Sequence, residues 1–296
     1  MKRVLITGSG SYIGTSVETW LAQERFSGGY QVDTLDMQDP AWREKSFSEY
    51  DAVFHVAGIA HADIGKVTEE QKKLYYRVNC DLAVETAEKA KAEGDRQFIF
   101  MSSIIVYGEG GSVWKKRVIT KETRPSPSNF YGDSKWQAEQ RLRDVSAHSE
   151  KEKNEGGQPG ESFQLAILRP PMIYGEGCRG NYQTLKQIAL HFPIFPDFPN
   201  ERSMLSIENL CEFVRRLIED GSGGLYFPQN REYVQTAKMV KWIAREHGKQ
   251  VVLVKGFNWI ISLLSLAPGR IGKMVNKAFG SLVYEKGINK GLGTKK

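Results

Sequence analysis

The 296-residue sequence predicts an α/β fold: a doubly wound parallel sheet with a smaller carboxyl-terminal region built on its ligand side. Three observations predict it. Short apolar runs at 4–6, 52–56, 97–101 and 163–168 alternate with helical patterns such as 15–23 and 69–93, and strands alternating with helices make βαβ units whose strands pair in parallel. The first strand runs directly into a glycine-rich turn that opens the first helix. After about residue 166 the pattern loosens, and prolines at 170, 171, 193, 196 and 199 divide the chain into short mixed elements.

Composition narrows the class of protein. Hydrophobic residues at 40% and charged residues at 26% exclude both a disordered chain and a disulfide scaffold. The formal net charge of +6 is local: residues 269–296 hold seven Lys and Arg against one Glu, so the first 268 residues are balanced. A nucleic-acid binder would interleave its positive charge with a binding motif, and the sequence has none. Cys80, Cys178 and Cys211 are odd in number and far apart, which predicts neither a disulfide framework nor a zinc or other metal site, and fits a reducing, cytoplasmic compartment. The opening Met-Lys-Arg-Val-Leu-Ile-Thr-Gly lacks the apolar core of a signal peptide. The longest apolar stretch, 257–268, falls short of the about 20 residues needed to span a bilayer.

Taken in order, the elements carry chemistry at three places. Val4, Leu5 and Ile6 lead into Thr7-Gly8-Ser9-Gly10-Ser11-Tyr12-Ile13-Gly14, where glycines let the backbone turn tightly and the free amides of a helix start face a pyrophosphate. The run Phe98-Ile99-Phe100-Met101 reads as a buried strand with Ser102 and Ser103 at its carboxyl end, the end at which an open parallel sheet binds ligands. Tyr131 and Lys135 lie four apart on a helix and therefore on one face; a nearby ammonium favours phenolate over phenol, making the tyrosine usable as acid or base near neutral pH. Segment 146–162 is polar and without periodicity, and is expected to be a surface loop.

With these segments in place the chain resembles the extended branch of the short-chain dehydrogenase/reductase superfamily, the nucleotide-sugar epimerases, dehydratases and ketoreductases. The resemblance covers about residues 3–285. Its motifs are the loop at 7–14, His55-Val56-Ala57-Gly58, Asn79, Ser102 to Gly108, Tyr131-x-x-x-Lys135, Leu168 to Gly175, and Arg202-Ser203-Met204-Leu205-Ser206 before a helix. It implies a Rossmann-type cofactor domain over 1–165 with contributions to about 210, a mainly substrate-binding region over 166–286, and a basic tail over 287–296. It also implies Ser103, Tyr131 and Lys135 as the catalytic set, with Tyr131 and Lys135 also against the cofactor. Cofactor contacts would come from Gly8, Gly10, Ser11, Tyr12, Ile13, Gly14, Asp36, Met37, Val56, Ala57 and Gly58, and substrate contacts from Ser103, Asn181 and Arg202. A homodimer through the helices at 79–91 and 131–142 follows from the same resemblance.

The sequence departs from the family pattern in three ways. Ser11 stands where the loop motif has glycine. The interval between Gly14 and Asp51 has room for one strand, 30–37, which serves as the second strand, the third, or a merged substitute. On the first reading Asp36 binds ribose hydroxyls and selects NAD; on the second, Asp36 and Met37 contact adenine. No Arg or Lys follows the strand at once, which favours NAD while leaving NADP open. Finally, Pro170-Pro171-Met172 replaces a family asparagine near the sugar, and Ile104-Ile105 follow Ser103 where dehydratases carry an acidic pair, which disfavours water elimination.

The expected function is an NAD-dependent 4-epimerase of a UDP-hexose or UDP-N-acetylhexosamine. The alternatives are an NAD(P)H-dependent 4-ketoreductase of a UDP-6-deoxy-4-keto-hexosamine and a cofactor-binding regulator without catalysis. The apolar segment 257–266 followed by a basic tail has the pattern of a membrane-surface contact; the alternative is a helix packed on the substrate region.

Overall fold

A computed structural model describes residues 1–60, 67–154, 163–178 and 180–289. The strands in chain order are β1 (Lys2–Thr7), β2 (Tyr30–Leu35), β3 (Ala52–His55), β4 (Gln97–Met101), β5 (Arg117–Ile119), β6 (Gln164–Leu168), β7 (Met172–Tyr174), β8 (Ile194–Pro196), β9 (Met204–Ser206), β10 (Gly224–Tyr226), β11 (Val252–Val254) and β12 (Leu282–Tyr284). The helices are α1 (Tyr12–Leu21), α2 (Glu69–Tyr76), α3 (Leu82–Ala92), α4 (Phe130–Asn154), α5 (Asn181–His191), α6 (Ile207–Asp220), α7 (Thr236–Glu246), α8 (Asn258–Leu264) and α9 (Arg270–Phe279).

Six strands pair in the order β10-β6-β4-β3-β1-β2, all parallel. The apolar runs explain the middle of that order: every residue of β3 and β4 is buried, as a strand covered on both faces requires. One face packs Phe98, Phe100 and Leu5 against α3 and α4, and the other packs Val4, Ile6, Phe54 and Ile99 against α1 and α6. From β1 the chain moves outward to β2, then crosses back to β3. The strand order reverses between β1 and β3, and a ligand crevice opens at the carboxyl ends of strands at such a point.

The strand read at 30–37 is β2, in register with β1 from Lys2 opposite Tyr30 to Thr7 opposite Leu35. It takes the position of the second strand and forms the edge of the sheet. No further strand lies beyond it among the described residues. Residues 36–51 instead send Met37, Trp42, Phe47 and Tyr50 into the core beside α3, covering the sheet with irregular backbone.

Two other sequence expectations change. The segment read as a loop from 146 begins as helix, because α4 runs on to Asn154; Glu150, Lys151, Glu152 and Lys153 are good helix formers without an apolar stripe, so propensity extends a helix that periodicity does not reveal. Residues 155–162 of that expectation, and 290–296 of the basic tail, lie outside the described residues. The sheet also draws on the chain to Tyr226 rather than to about 210, since β10 pairs with β6 while α6 packs on α1. Of the remaining two-stranded pairs, β7 with β9 and β8 with β11 line a smaller core that includes Tyr182, Phe195, Val240 and Ile243, while β5 with β12 packs Ile119 and Tyr284 with Tyr107 and Phe227. All three cysteines are buried, and none is in a disulfide. Among the described residues no helix is long and apolar enough to cross a membrane.

Candidate active site

The glycine loop is fixed by its neighbours. Gly8 and Ser9 both donate their amides to the Leu35 carbonyl at the end of β2, at 2.8 and 3.1 Å. A Cβ on Gly8 would stand 2.8 Å from the Ala57 nitrogen, so only glycine lets this loop lie against Val56-Ala57-Gly58 at the end of β3. Ser11, the departure from the motif, is the N-cap of α1, its hydroxyl accepting from the Gly14 amide at 3.1 Å. The amides of Tyr12 and Ile13 begin the helix and by helix geometry have no acceptor within it. They stand at the positive end of the helix dipole, with open space beside Gly10.

Asp36 is exposed immediately beyond Leu35, the residue that holds the loop, and its Oδ1 accepts from the Gln38 amide at 2.9 Å. Met37 turns into the core. Arg43, the next basic residue in sequence, is committed to Glu85 through two hydrogen bonds. An exposed carboxylate just beyond the strand that holds the loop, with the next basic residue in sequence paired to Glu85, and an amide cradle with space in front of it fit NAD.

The second half of the site lies at the end of β4. Ser103 caps a short turn over Ile104–Tyr107, its hydroxyl accepting from the Ile105 amide at 3.3 Å, and stands beside the Tyr131 phenol. That pairing depends on Gly132. A Cβ there would be 2.7 Å from the Ile105 carbonyl oxygen, so glycine allows the first turn of α4 to press against the turn that follows Ser103. Tyr75 of α2 packs edge-on against the Tyr131 ring with centroids 6.2 Å apart.

Lys135, one turn along α4, is buried; its Nζ donates to the Met101 carbonyl at 2.9 Å and stands 4.8 Å from the Phe100 ring centroid. Gly58 lies against both Lys135 and Asn79. Asn79 occupies a single π-helical turn, Arg77–Asp81, joining α2 to α3. Its amide brackets Ile59, accepting from the backbone nitrogen at 2.8 Å and donating to the carbonyl at 3.0 Å, and donates to Ser134 at 3.2 Å.

Electrostatics corrects one expectation. Burial pushes the Tyr131 phenol up to about 12; the neighbouring Ser103 works against that rise and Tyr75 adds to it. Burial also brings the Lys135 ammonium down to about 8, with Glu139 and Cys80 opposing. The protein alone therefore does not hold the phenol low through Lys135, whose proton is directed at a backbone carbonyl. His55, stacked on Phe98 and Phe100 and bonded to Thr7 at 2.8 Å, is kept neutral by burial and by Lys135, its value lowered to about 3.

Sequence reading missed the support beneath this set. Glu139, four residues beyond Lys135, is fully buried. It accepts from Ser102 at 2.5 Å and from Arg169 at 2.9 and 2.5 Å, while Arg169 also donates to Tyr107. The signal available was the continued spacing of four along α4 and a lone arginine closing the apolar run at 164–168. Asn181, by contrast, is an exposed residue opening α5. Arg202 donates to the Gly280 and Lys277 carbonyls at 3.1 and 2.6 Å, binding the carboxyl end of α9. Neither joins the Ser103–Tyr131–Lys135 cluster through any bond described.

A glycine loop at the switch point of a parallel sheet, with Ser, Tyr and Lys assembled at the neighbouring strand end, defines a dinucleotide-dependent enzyme of the short-chain dehydrogenase type. Residues 4–225 match the model of the NAD dependent epimerase/dehydratase family, and the chain belongs to that family. It is 27% identical to a UDP-glucose 4-epimerase of Vibrio cholerae over 261 residues, covering 82% of this chain and 75% of that protein. It is 30% identical to an N-acetyl-alpha-D-glucosaminyl-diphospho-ditrans,octacis-undecaprenol 4-epimerase of Escherichia coli O157:H7, covering 75% of this chain and 64% of the relative. The fold is similar to that of a dTDP-4-dehydrorhamnose reductase from Bacillus anthracis in complex with NADP, with TM-score 0.68, 16% identity, and 99% and 93% of the two chains covered.

Proposed function

We propose that the protein is an NAD-dependent 4-epimerase of a nucleotide-linked hexose or N-acetylhexosamine, with a UDP-sugar as the first substrate to test. The observation that carries the reading is the placing of Ser103 beside the Tyr131 phenol at the end of β4, with Lys135 one turn further on and the amide cradle at the adjoining strand ends. Bound NAD would accept hydride from sugar C4 and return it to the opposite face. Tyr131 takes the proton of the 4-hydroxyl and gives it back, and Ser103 holds the same oxygen. Burial keeps the phenol protonated near neutral pH in the protein alone; positive charge beside it is what brings the phenolate within reach. Lys135 serves the nicotinamide ribose in this reading, while Asp36 serves the adenosine ribose. The apolar Ile104 and Ile105 after Ser103 supply no acid or base for dehydration.

Substrate roles for Asn181 and Arg202 belong to the same reading, as does a cytoplasmic homodimer formed by α3 and α4. The outward residues there include Glu88, Gln140 and Arg141, so that interface would be polar; light scattering of the purified chain tests it. Incubation with UDP-glucose and UDP-N-acetylglucosamine plus NAD should form 4-epimers with no net NADH, and Tyr131→Phe should abolish this. The ketoreductase is the second reading, kept by the shared fold with a dTDP-4-dehydrorhamnose reductase: stoichiometric NAD(P)H loss on a 4-keto sugar, without epimer formation, would establish it instead.

A further inference from the structure

We propose that the α8–α9 hairpin, with Trp114, is a docking surface for an anionic phospholipid bilayer.

The hairpin is two-sided. Its inner side buries Ile261 and Val275 against Phe198, with Phe279 and Val113 alongside. Asn276 ties the two helices together, donating to the Ser265 and Gly272 carbonyls at 2.9 Å each and accepting from the Val113 amide at 3.0 Å. A supported, ordered element thus presents its other side outward. Away from that side, Trp259, Leu263 and Leu266 follow one another at helical spacing with 68, 61 and 67% of their surfaces exposed, and Ile271 and Met274 of α9 are exposed at 52 and 66%. Trp114 joins them: its indole N–H donates to the Ser265 hydroxyl at 2.9 Å while 62% of the residue stays exposed. Large apolar side chains grouped in this way on a surface mark a contact with another apolar phase, and indole rings suit the boundary between headgroups and acyl chains.

Charge selects the partner. No Asp or Glu occurs between Glu246 and Glu285, whereas Lys249, Lys255, Arg270, Lys273 and Lys277 do. The last four are exposed, and no ion pair of theirs occurs among the described residues. Exposed apolar side chains on two helices that carry cations and no carboxylate of their own match an anionic lipid surface, into which such a face sinks to the depth of the acyl boundary. The face is a poor match for a second copy of itself, since two such faces would bring like charges together.

The placement also concerns the site. α9 ends where Arg202 binds the Lys277 and Gly280 carbonyls, and Gly111, in the loop that follows the Ser103 turn, packs directly on Ser281. Docking would therefore set the substrate side of the sheet close to the membrane, where a sugar diphosphate carried on a lipid is presented. The docking surface itself does not depend on the epimerase reading.

The test is flotation of the full chain with vesicles of phosphatidylcholine containing 30% phosphatidylglycerol, and with phosphatidylcholine alone. Binding is expected to the anionic vesicles, to weaken with added salt, and to fall at least about fivefold in Lys273→Glu. Leu263→Glu and Met274→Glu, both at exposed positions, should abolish flotation. Turnover of a soluble UDP-sugar by these variants should be unchanged if the epimerase reading holds, and flotation is read whether or not turnover is detected. Absence of flotation of the full chain on anionic vesicles overturns the proposal, as does flotation indifferent to Leu263→Glu and Met274→Glu. A dimer lost in those variants, without vesicle binding, would assign the face to a second copy.

Discussion

Arg169 clasps Glu139 through three hydrogen bonds inside the protein, Nε to Oε1 at 2.9 Å, Nε to Oε2 at 3.2 Å and Nη2 to Oε2 at 2.5 Å, with both residues at 2% exposure or less. Glu139 lies one helical turn beyond Lys135 and also accepts from Ser102, the neighbour of Ser103. The ion pair thus stands beneath both Lys135 and the Ser102-Ser103 turn.

Breaking this pair from one side should be costly. Glu139→Gln leaves the Arg169 guanidinium buried without a counter-charge, and about 3–5 kcal/mol of stability should be lost. Urea unfolding measures it. The double variant Glu139→Leu with Arg169→Met should recover part of the loss, because paired removal leaves no uncompensated charge.

Gly132→Ala tests how Tyr131 reaches Ser103. The added methyl meets the Ile105 carbonyl oxygen at 2.7 Å and must push the start of α4 away. A shift of this kind at reacting groups lowers kcat by about 10-fold to 100-fold. KM should change little and the circular dichroism spectrum should remain native; an unaltered kcat would refute the dependence.

Lys135→Met should stabilise the fold and disable the enzyme. Burial lowers the Lys135 value to about 8, below the about 10.4 of an unfolded chain. Between those values the unfolded state binds the extra proton, so stability rises with pH through that window. The cost of the buried charge is complete below pH 8. The variant should therefore exceed the wild type in Tm most at pH 7, and the difference should close towards pH 10.5.

Asp95 runs the opposite way. It is buried, neither carboxylate oxygen has a hydrogen-bond partner among the described residues, and desolvation followed by the charge of Glu93 raises its value to about 8. The folded state keeps a proton that the unfolded chain releases near pH 4, so this group withdraws stability as pH rises from about 4 to about 8. Asp95→Asn should be more stable than the wild type by at least about 1 kcal/mol at pH 8. Denaturant melts at pH 5 and pH 8 should show the difference growing between them.

The sequence by itself determined the sheet and the local parts of the site. Apolar runs announced β1, β3, β4 and β6 because central parallel strands are buried on both faces and tolerate little else. The spacing of Tyr131 and Lys135 and the glycine loop were equally legible, since one helix turn or one βα turn fixes their geometry. What only the tertiary structure decided involves partners distant in sequence. Strand pairing assigned residues 30–35 to the second position, which no local pattern distinguishes from the third. The buried bond between Glu139 and Arg169, 30 residues apart, depends on α4 crossing beneath β6. Burial then set the protonation of Tyr131 and Lys135 against the simple pairing their spacing suggested, because desolvation depends on everything packed around a group and not on its neighbours along the chain.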